Sequence, residues 1–345
     1  MSQSPDLSAP WLDRQRERLL SQRGHAWLLQ GPSGLGQYAL GLSLAQAWLC
    51  ERPTPQGACG VCDSCHLVGS RSHPDLVVLM PETEMLERGW PLSESAQKEI
   101  DDKKRKPSKE IRVEAMRDMV AFAQRTSARG RGTAVLLFPA ERMNTVTANA
   151  LLKTLEEPAG DTRFVLASES AHQLLPTIRS RCQTHVLAWP EAGEARRWLR
   201  EAMAAGGAAA PDDADAEAWL RASGGRPDDA LMLARSGLSA ERWAQLPKAL
   251  ALGDWSVMAE WSAAKQLGTL QKLCHDLMAV AAGASPRFFP ADSLPPPPRW
   301  PALARWSKSL SQAVRTVEHP YNAGLMQEAW VASTRHVLSR TEPRA

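Results

Sequence analysis

Residues 144–182 constrain the fold more than any other stretch of the chain. Ala148, Leu151, Leu152 and Leu155 share one face at helical spacing, and Pro158 and Gly160 end the helix because neither continues it. Phe164, Val165, Leu166 and Ala167 follow as a continuous apolar run of strand length. A helix feeding a strand that is apolar on both faces predicts a parallel sheet with helices on both sides. A second short helix is expected over residues 174–178, ending at Ser180, Arg181 and Cys182. An arginine at a helix end is, on its residues alone, a solvated cap.

Earlier in the chain, residues 10–22 read as an amphipathic helix and residues 25–30 as a first strand. The loop Gly31-Pro32-Ser33-Gly34-Leu35-Gly36 follows, then a helix through Leu49. Strand, glycine loop and helix in that order make a phosphate cradle, in which backbone N–H groups at a helix N-terminus face an anion. A working cradle places lysine after its last glycine, to reach the terminal phosphates, and then Ser or Thr to hold magnesium. This chain has Gln37 and Tyr38. Glutamine carries no charge, and a phenol ring does not fit where a small hydroxyl touches a metal. A further strand at residues 133–138 runs into Pro139 and Ala140, and Glu141 and Arg142 read as solvated loop charges. The expectation is a cradle that keeps its backbone and has lost its chemistry, with nucleotide binding left open.

Cys50, Cys59, Cys62 and Cys65 fall close together, with two residues between successive sulfurs in CGVCDSC. That spacing lets thiolates converge on one tetrahedral ion, and four protein ligands leave no open position, so a structural zinc is expected. His66 and His73 are the alternative ligands if one cysteine fails, and Cys274 reads as a small buried hydrophobe. Residues 81–108 are charged and unpatterned around DDKKRKPSK and read as a mobile surface insertion. A DNA contact through Lys103, Lys104, Arg105 and Lys106 is open, although interleaved acids cancel much of their charge. Residues 110–120 resume as an amphipathic helix.

Beyond Val186 the pattern is helical. Helices are expected over residues 191–205 and 216–222, with a turn at 206–215 between them, and Gly224-Gly225-Arg226-Pro227 opens a third. From residue 238 onward Trp243, Leu250, Trp255, Trp261, Leu270, Leu273, Leu277, Trp306, Leu310 and Trp330 can supply one buried face, interrupted by the stiff proline run 295–298. The 13 Trp are scattered, so they read as packing anchors and not as a base-stacking platform. A net charge of +3 is too small to argue nucleic-acid binding by bulk electrostatics. No apolar run reaches membrane-spanning length, and residues 1–20 lack the apolar core of a signal peptide, so a cytoplasmic location is expected.

ANALLKTLEEP followed by TIRSRC resembles the clamp-loader branch of the AAA+ ATPases, specifically the bacterial DNA polymerase III clamp-loader subunits. The cysteine module after the cradle helix, the HPD entry at residues 73–75 and the I-x-V opening of the helix at 111–113 are similar to the same family. The resemblance implies an α/β P-loop domain of AAA+ type over residues 1–186, with the zinc module at 50–65. It further implies a three-helix lid over 187–237 and an all-α collar over 238–345. It implies that Arg181, within Ser180-Arg181-Cys182, reaches in trans to the nucleotide of a neighbouring subunit. Gly31, Gly34, Gly36, Gln37 and Tyr38 would be a degenerate phosphate loop, and Pro139-Ala140 stand where a working member has Asp-Glu. The lid's sensor arginine falls at Asp228, so Arg226 is not assigned that role. The implied partners are ATPase subunits of gamma/tau type, a delta subunit, the sliding clamp and primed DNA. No ATPase activity is expected from this chain alone. Two other readings stay open: an independent nucleotide-binding ATPase or switch, and a zinc-containing DNA-binding module.

Overall fold

A computed structural model describes residues 9–207, 211–317 and 323–339. The first eight residues of the N-terminal stretch, and residues 208–210 of the turn expected at 206–215, lie outside the described residues. The chain divides into two compact units at Pro190 and Glu191.

The first unit runs α1 (Pro10–Leu20), β1 (Ala26–Gln30), α2 (Gln37–Leu49), α3 (Asp63–Gly69), β2 (Leu76–Leu79), α4 (Glu82–Glu87) and α5 (Glu94–Asp101). It continues through α6 (Val113–Ala123), β3 (Thr133–Leu137), α7 (Thr145–Glu156), β4 (Thr162–Ser168), α8 (Pro176–Arg179) and β5 (Gln183–Val186). The strands form one parallel sheet in the order β2-β3-β4-β1-β5. From β1 the chain crosses to the far edge at β2, then steps back in the opposite sense through β3, β4 and β5. Crossovers between parallel strands are right-handed, so this reversal sends α2 to one face and α6 and α7 to the other.

Strand periodicity then sorts the side chains. Val135, Leu137, Phe164 and Leu166 pack with Met116, Met119, Leu151 and Leu155 of α6 and α7. Leu136 and Val165 face α2, where Gly41 lets the helix approach closely: a Cβ there would sit 2.7 Å from Leu136 Cδ1 and 3.2 Å from Val165 Cγ1. The parallel sheet expected from residues 144–182 is thus present, with β4 two residues longer at its start than the apolar run and one longer at its end.

The second unit is helical among the described residues: α9 (Ala192–Ala205), α10 (Asp213–Ala222), α11 (Pro227–Arg235), α12 (Ala240–Leu252), α13 (Ala263–Ala281), α14 (Trp300–Ala313) and α15 (Ala323–Ser339). Its core joins Trp243, Leu250, Trp255, Leu270, Leu273, Leu277, Trp306, Leu310 and Trp330, with Trp261 partly buried against it. Cys274 is buried there as a small hydrophobe. Trp243 stacks on Phe289 with ring centroids 4.5 Å apart. No helix among the described residues is long and apolar enough to cross a membrane.

The structure departs from expectation in three places. Residues 81–108 fold: α4 and α5 are joined by Arg105, whose Nη2 donates to Glu82 at 2.8 Å and whose Nε donates to Glu99 at 2.6 Å. Local ion pairs order this stretch without any hydrophobic period, which is why the sequence pattern read as loop. Arg105 is thereby paired within the segment, and the exposed Lys104 stands 3.0 Å from Asp102. Strand β5 was not expected because its burial is slight and its residues Gln-Thr-His-Val lack an apolar run. Helix α10 starts at Asp213, capped by Asp212, whose side chain accepts from Asp215 N.

Phe164 is fully buried in β4, between two neighbouring strands and under α6 and α7. Phe164→Ala is therefore expected to destabilise the first unit by about 3–5 kcal/mol, read from the shift of its denaturant midpoint.

Candidate functional site

The phosphate-loop backbone is intact. Gly34 and Gly36 have φ of +76° and +94°, a region that favours glycine, and Gly36 caps α2. Leu12 of α1 packs onto the loop so closely that a Cβ on Gly36 would lie 2.6 Å from Leu12 Cδ1. Trp11 Nε1 donates to Leu35 O at 3.4 Å, so α1 covers the loop from outside.

Gln37 is buried and turns back into the loop. Its Nε2 donates to Gly31 O and to Pro32 O, each at 2.7 Å. Both amide hydrogens are used, and none is left for a phosphate. Tyr38 sits in an aromatic cluster in place of a magnesium-binding hydroxyl. Trp90 Nε1 donates to Tyr38 Oη at 2.7 Å, and the Tyr38 ring lies 5.6 Å from that of Phe138. The Arg88 guanidinium covers both rings, 4.6 Å from the centroid of Tyr38 and 5.0 Å from that of Phe138. Glu84 holds Arg88 at 3.2 Å, and Arg71 covers Trp90 at 5.7 Å. A cation over these ring faces is attracted by the ring quadrupoles, and the same cation repels a divalent metal. Arg88 and Trp90 come from the charged insertion and carried no motif that could have marked them.

At the end of β3 Ala140 is fully buried. Glu141 is not the solvated charge expected: its Oε1 accepts from Glu169 N at 3.0 Å, tying the ends of β3 and β4 together.

Arg181 lies just past α8. Ile178 and Leu174 are buried in the sheet core, and Cys182 packs against it, with burial pushing its thiol up to about 12. That anchoring leaves Ser180 exposed and Arg181 partly exposed at the surface. Arg181 Nη1 donates to Thr177 O at 2.9 Å, and Nη2 to the carboxylate of Glu156 at the end of α7. Arg226, in the second unit, is paired with Asp229 at 2.6 Å.

The cysteines converge as expected. The Sγ atoms of Cys50, Cys59, Cys62 and Cys65 all lie within 4.8 Å of one another. Cys50–Cys62 is 3.8 Å, Cys59–Cys65 4.0 Å and Cys62–Cys65 3.4 Å, and all six cysteines of the chain are free. Thiolates bound tetrahedrally at a zinc–sulfur distance of about 2.3 Å stand about 3.8 Å apart, so the set fits such an ion. The backbone N–H of Val61, ahead of its other neighbours, lowers the Cys59 thiol to about 6, whereas burial pushes Cys65 up to about 12. The end of α2 supplies Cys50, and α3 is capped by Cys62 and carries Cys65 in its first turns. His66 and His73 stand outside this set; the buried His73 instead accepts Asp75 N at 3.0 Å. Arg129 ties the module to the sheet unit, donating to Glu51 at 2.7 Å and Ser64 at 3.0 Å.

A sequence profile of the family described as DNA polymerase III, delta subunit, matches residues 15–190, just over half of the chain. The chain belongs to that family. The DNA polymerase III subunit delta' of Pseudomonas aeruginosa is 40% identical over 224 residues, covering 64% of this chain and 59% of its own length. The Escherichia coli subunit delta' is 34% identical over 229 residues, covering 65% and 60%. The chain therefore aligns with about six-tenths of the length of these relatives. The E. coli subunit tau is 33% identical over 165 residues, 48% of this chain and 22% of its own. A DNA polymerase III gamma subunit-related protein of Thermotoga maritima shares the fold, with a TM-score of 0.50 at 18% identity, over 95% of this chain and 99% of that one.

The filled cradle yields a prediction. Gln37→Lys with Tyr38→Ser restores the two lost side chains but leaves Arg88, Trp90 and the Pro139-Ala140 pair after β3. Calorimetric titration with Mg·ATP is expected to show no saturable binding in the millimolar range; tight binding would mean that positions 37 and 38 are the whole defect.

Proposed function

We propose that this chain is a non-hydrolysing delta' subunit of the DNA polymerase III clamp loader, acting in the cytoplasm in DNA replication. Its partners would be gamma/tau-type ATPase subunits and a delta subunit, and through them the sliding clamp and primed DNA. The observation that carries the reading is a pairing within one unit. The cradle is filled by the chain's own Gln37, Tyr38, Trp90 and Arg88, while Arg181 stands at the surface just past a short helix rooted in the core. A chain of this design is suited to assist a neighbour's phosphoryl transfer and not to perform its own.

Arg181 would contribute positive charge to the terminal phosphate of ATP bound on an adjacent subunit. Charge develops on the equatorial oxygens during phosphoryl transfer, and a preplaced guanidinium stabilises it without reorganisation. Helices α9–α11 would form the lid and α12–α15 the collar, whose own core is built around Trp243 and Trp306.

Cys50, Cys59, Cys62 and Cys65 would hold a structural zinc. The ion supplies no reactive position, since four thiolates complete its coordination; the residues around it fix the module to the sheet through Arg129, Glu51 and Ser64. Elemental analysis of the purified chain is expected to find zinc equimolar with protein. Cys62→Ser is expected to abolish that content and lower the stability of the first unit, and full retention of zinc would exclude Cys62 as a ligand.

The test of the function is reconstitution. A loader containing Arg181→Ala is expected to assemble normally yet lose ATP turnover, on the order of a thousandfold at the one site the arginine serves. Assayed with clamp and primed DNA, total turnover falls by that site's share, and the isolated chain shows no hydrolysis. Unchanged turnover in the Arg181→Ala loader, or hydrolysis by the isolated chain, would overturn the reading.

A further inference from the structure

In the isolated chain Arg181 is not a free finger. Nη2 donates to the carboxylate of Glu156, twenty-five residues earlier, and Nη1 donates to Thr177 O at 2.9 Å. Nε is buried and finds no partner among the described residues. The guanidinium therefore lies flat against its own unit, with its two outer nitrogens bonded there. The pair is accessible, with Arg181 28% and Glu156 49% exposed at the side chain. Solvent screens such a pair, so it holds weakly and reversibly.

We propose that Glu156 is a positioning residue that parks Arg181 as an internal counter-ion, and that the terminal phosphate of a neighbour's nucleoside triphosphate must displace this carboxylate to engage the arginine. The inference rests on the reading of Arg181 as acting in trans. A terminal phosphate outcompetes a carboxylate because it carries more negative charge and offers three strong acceptor oxygens. Displacement leaves Glu156 at the surface, where water solvates it, so release carries no buried-charge penalty. Parking also keeps Arg181 close to one orientation, at the end of a helix pair fixed by Leu155 and Ile178 in the core.

The sign of one substitution decides the matter. Parking is a cost that every engagement must overcome, so removing the charge raises kcat/KM for ATP, which measures the transition state against the parked enzyme. Glu156→Gln in the reconstituted loader is expected to raise kcat/KM at the served site by about two- to fivefold, the range of a screened ion pair. Glu156→Asp, which keeps the charge, is expected to stay near wild type. Glu157→Gln removes a neighbouring carboxylate that makes no hydrogen bond to Arg181 among the described residues, and is expected to change nothing. The gain must also vanish when Glu156→Gln is combined with Arg181→Ala, because the two side chains act as one coupled pair.

The failures separate. If Arg181→Ala leaves turnover unchanged, the trans-arginine reading itself is wrong. If Arg181→Ala lowers turnover but Glu156→Gln lowers kcat/KM or leaves it unchanged, Glu156 does not restrain the arginine and this inference falls. A second measurement needs no partner subunits. Arg181 in the isolated chain is expected to react faster with phenylglyoxal after Glu156→Gln, followed by peptide mass spectrometry, and an unchanged rate would overturn the parked state.

Discussion

Burial of the sheet on both faces is the constraint from which the rest follows. Val135, Leu137, Phe164 and Leu166 commit one face to α6 and α7, while Leu136 and Val165 commit the other to α2. With both faces covered, the register of β1, β3 and β4 has no freedom to slip, since a one-residue shift would exchange the faces. The strands are parallel, so their carboxyl ends gather at one edge. The glycine loop after β1, Pro139-Ala140 after β3 and the segment after β4 meet there whatever their chemistry. A parallel sheet places its ligand site at that edge by topology, and in this chain Gln37 and Tyr38 occupy it.

An abandoned polar cradle has to be satisfied in some other way. The carbonyls of Gly31 and Pro32 need donors, and the Gln37 amide supplies two. A cavity next to Tyr38 would waste contacts, and Phe138, Trp90 and the Arg88 guanidinium fill it. The insertion at 81–108 is what brings Arg88 and Trp90 there, held by the Glu82–Arg105–Glu99 network. The cradle is thus complete without nucleotide, and its shape has no reason to change when nucleotide is present elsewhere in an assembly.

What the sequence revealed and what it hid divide along physical lines. Apolar periodicity marked α7 and β4, because buried faces impose a period on the residues that line them. Thiol spacing marked the cysteine cluster, because convergence on one point demands short loops. Gln37, Tyr38, Pro139 and Ala140 stood out because each occupies a position where a phosphate-binding site has one chemical requirement. Hidden were the features made by long-range charge and aromatic contacts: Arg88 over Tyr38, Arg105 between Glu82 and Glu99, Glu156 beside Arg181 and Glu141 on Glu169. A guanidinium finds its partner through space, so nothing in the local order of residues announces the pairing. Strand β5 was hidden for the opposite reason: backbone pairing to β1 makes it, with little burial to leave a pattern.

In the proposed role the same rigidity becomes useful. An arginine that serves a site on another subunit must arrive within a fraction of an ångström of the reacting phosphate to be effective. Its own base must therefore stay fixed while the neighbour cycles through its nucleotide states. Cys182 and Ile178 root the arginine in the same apolar core that packs Phe164 and Leu166. A cradle closed to nucleotide would remove one event, nucleotide exchange, that would move that core. In that role a chain without nucleotide chemistry of its own would be a steadier platform for assisting the chemistry of another, with the remaining motion confined to the side chain that must make the reach.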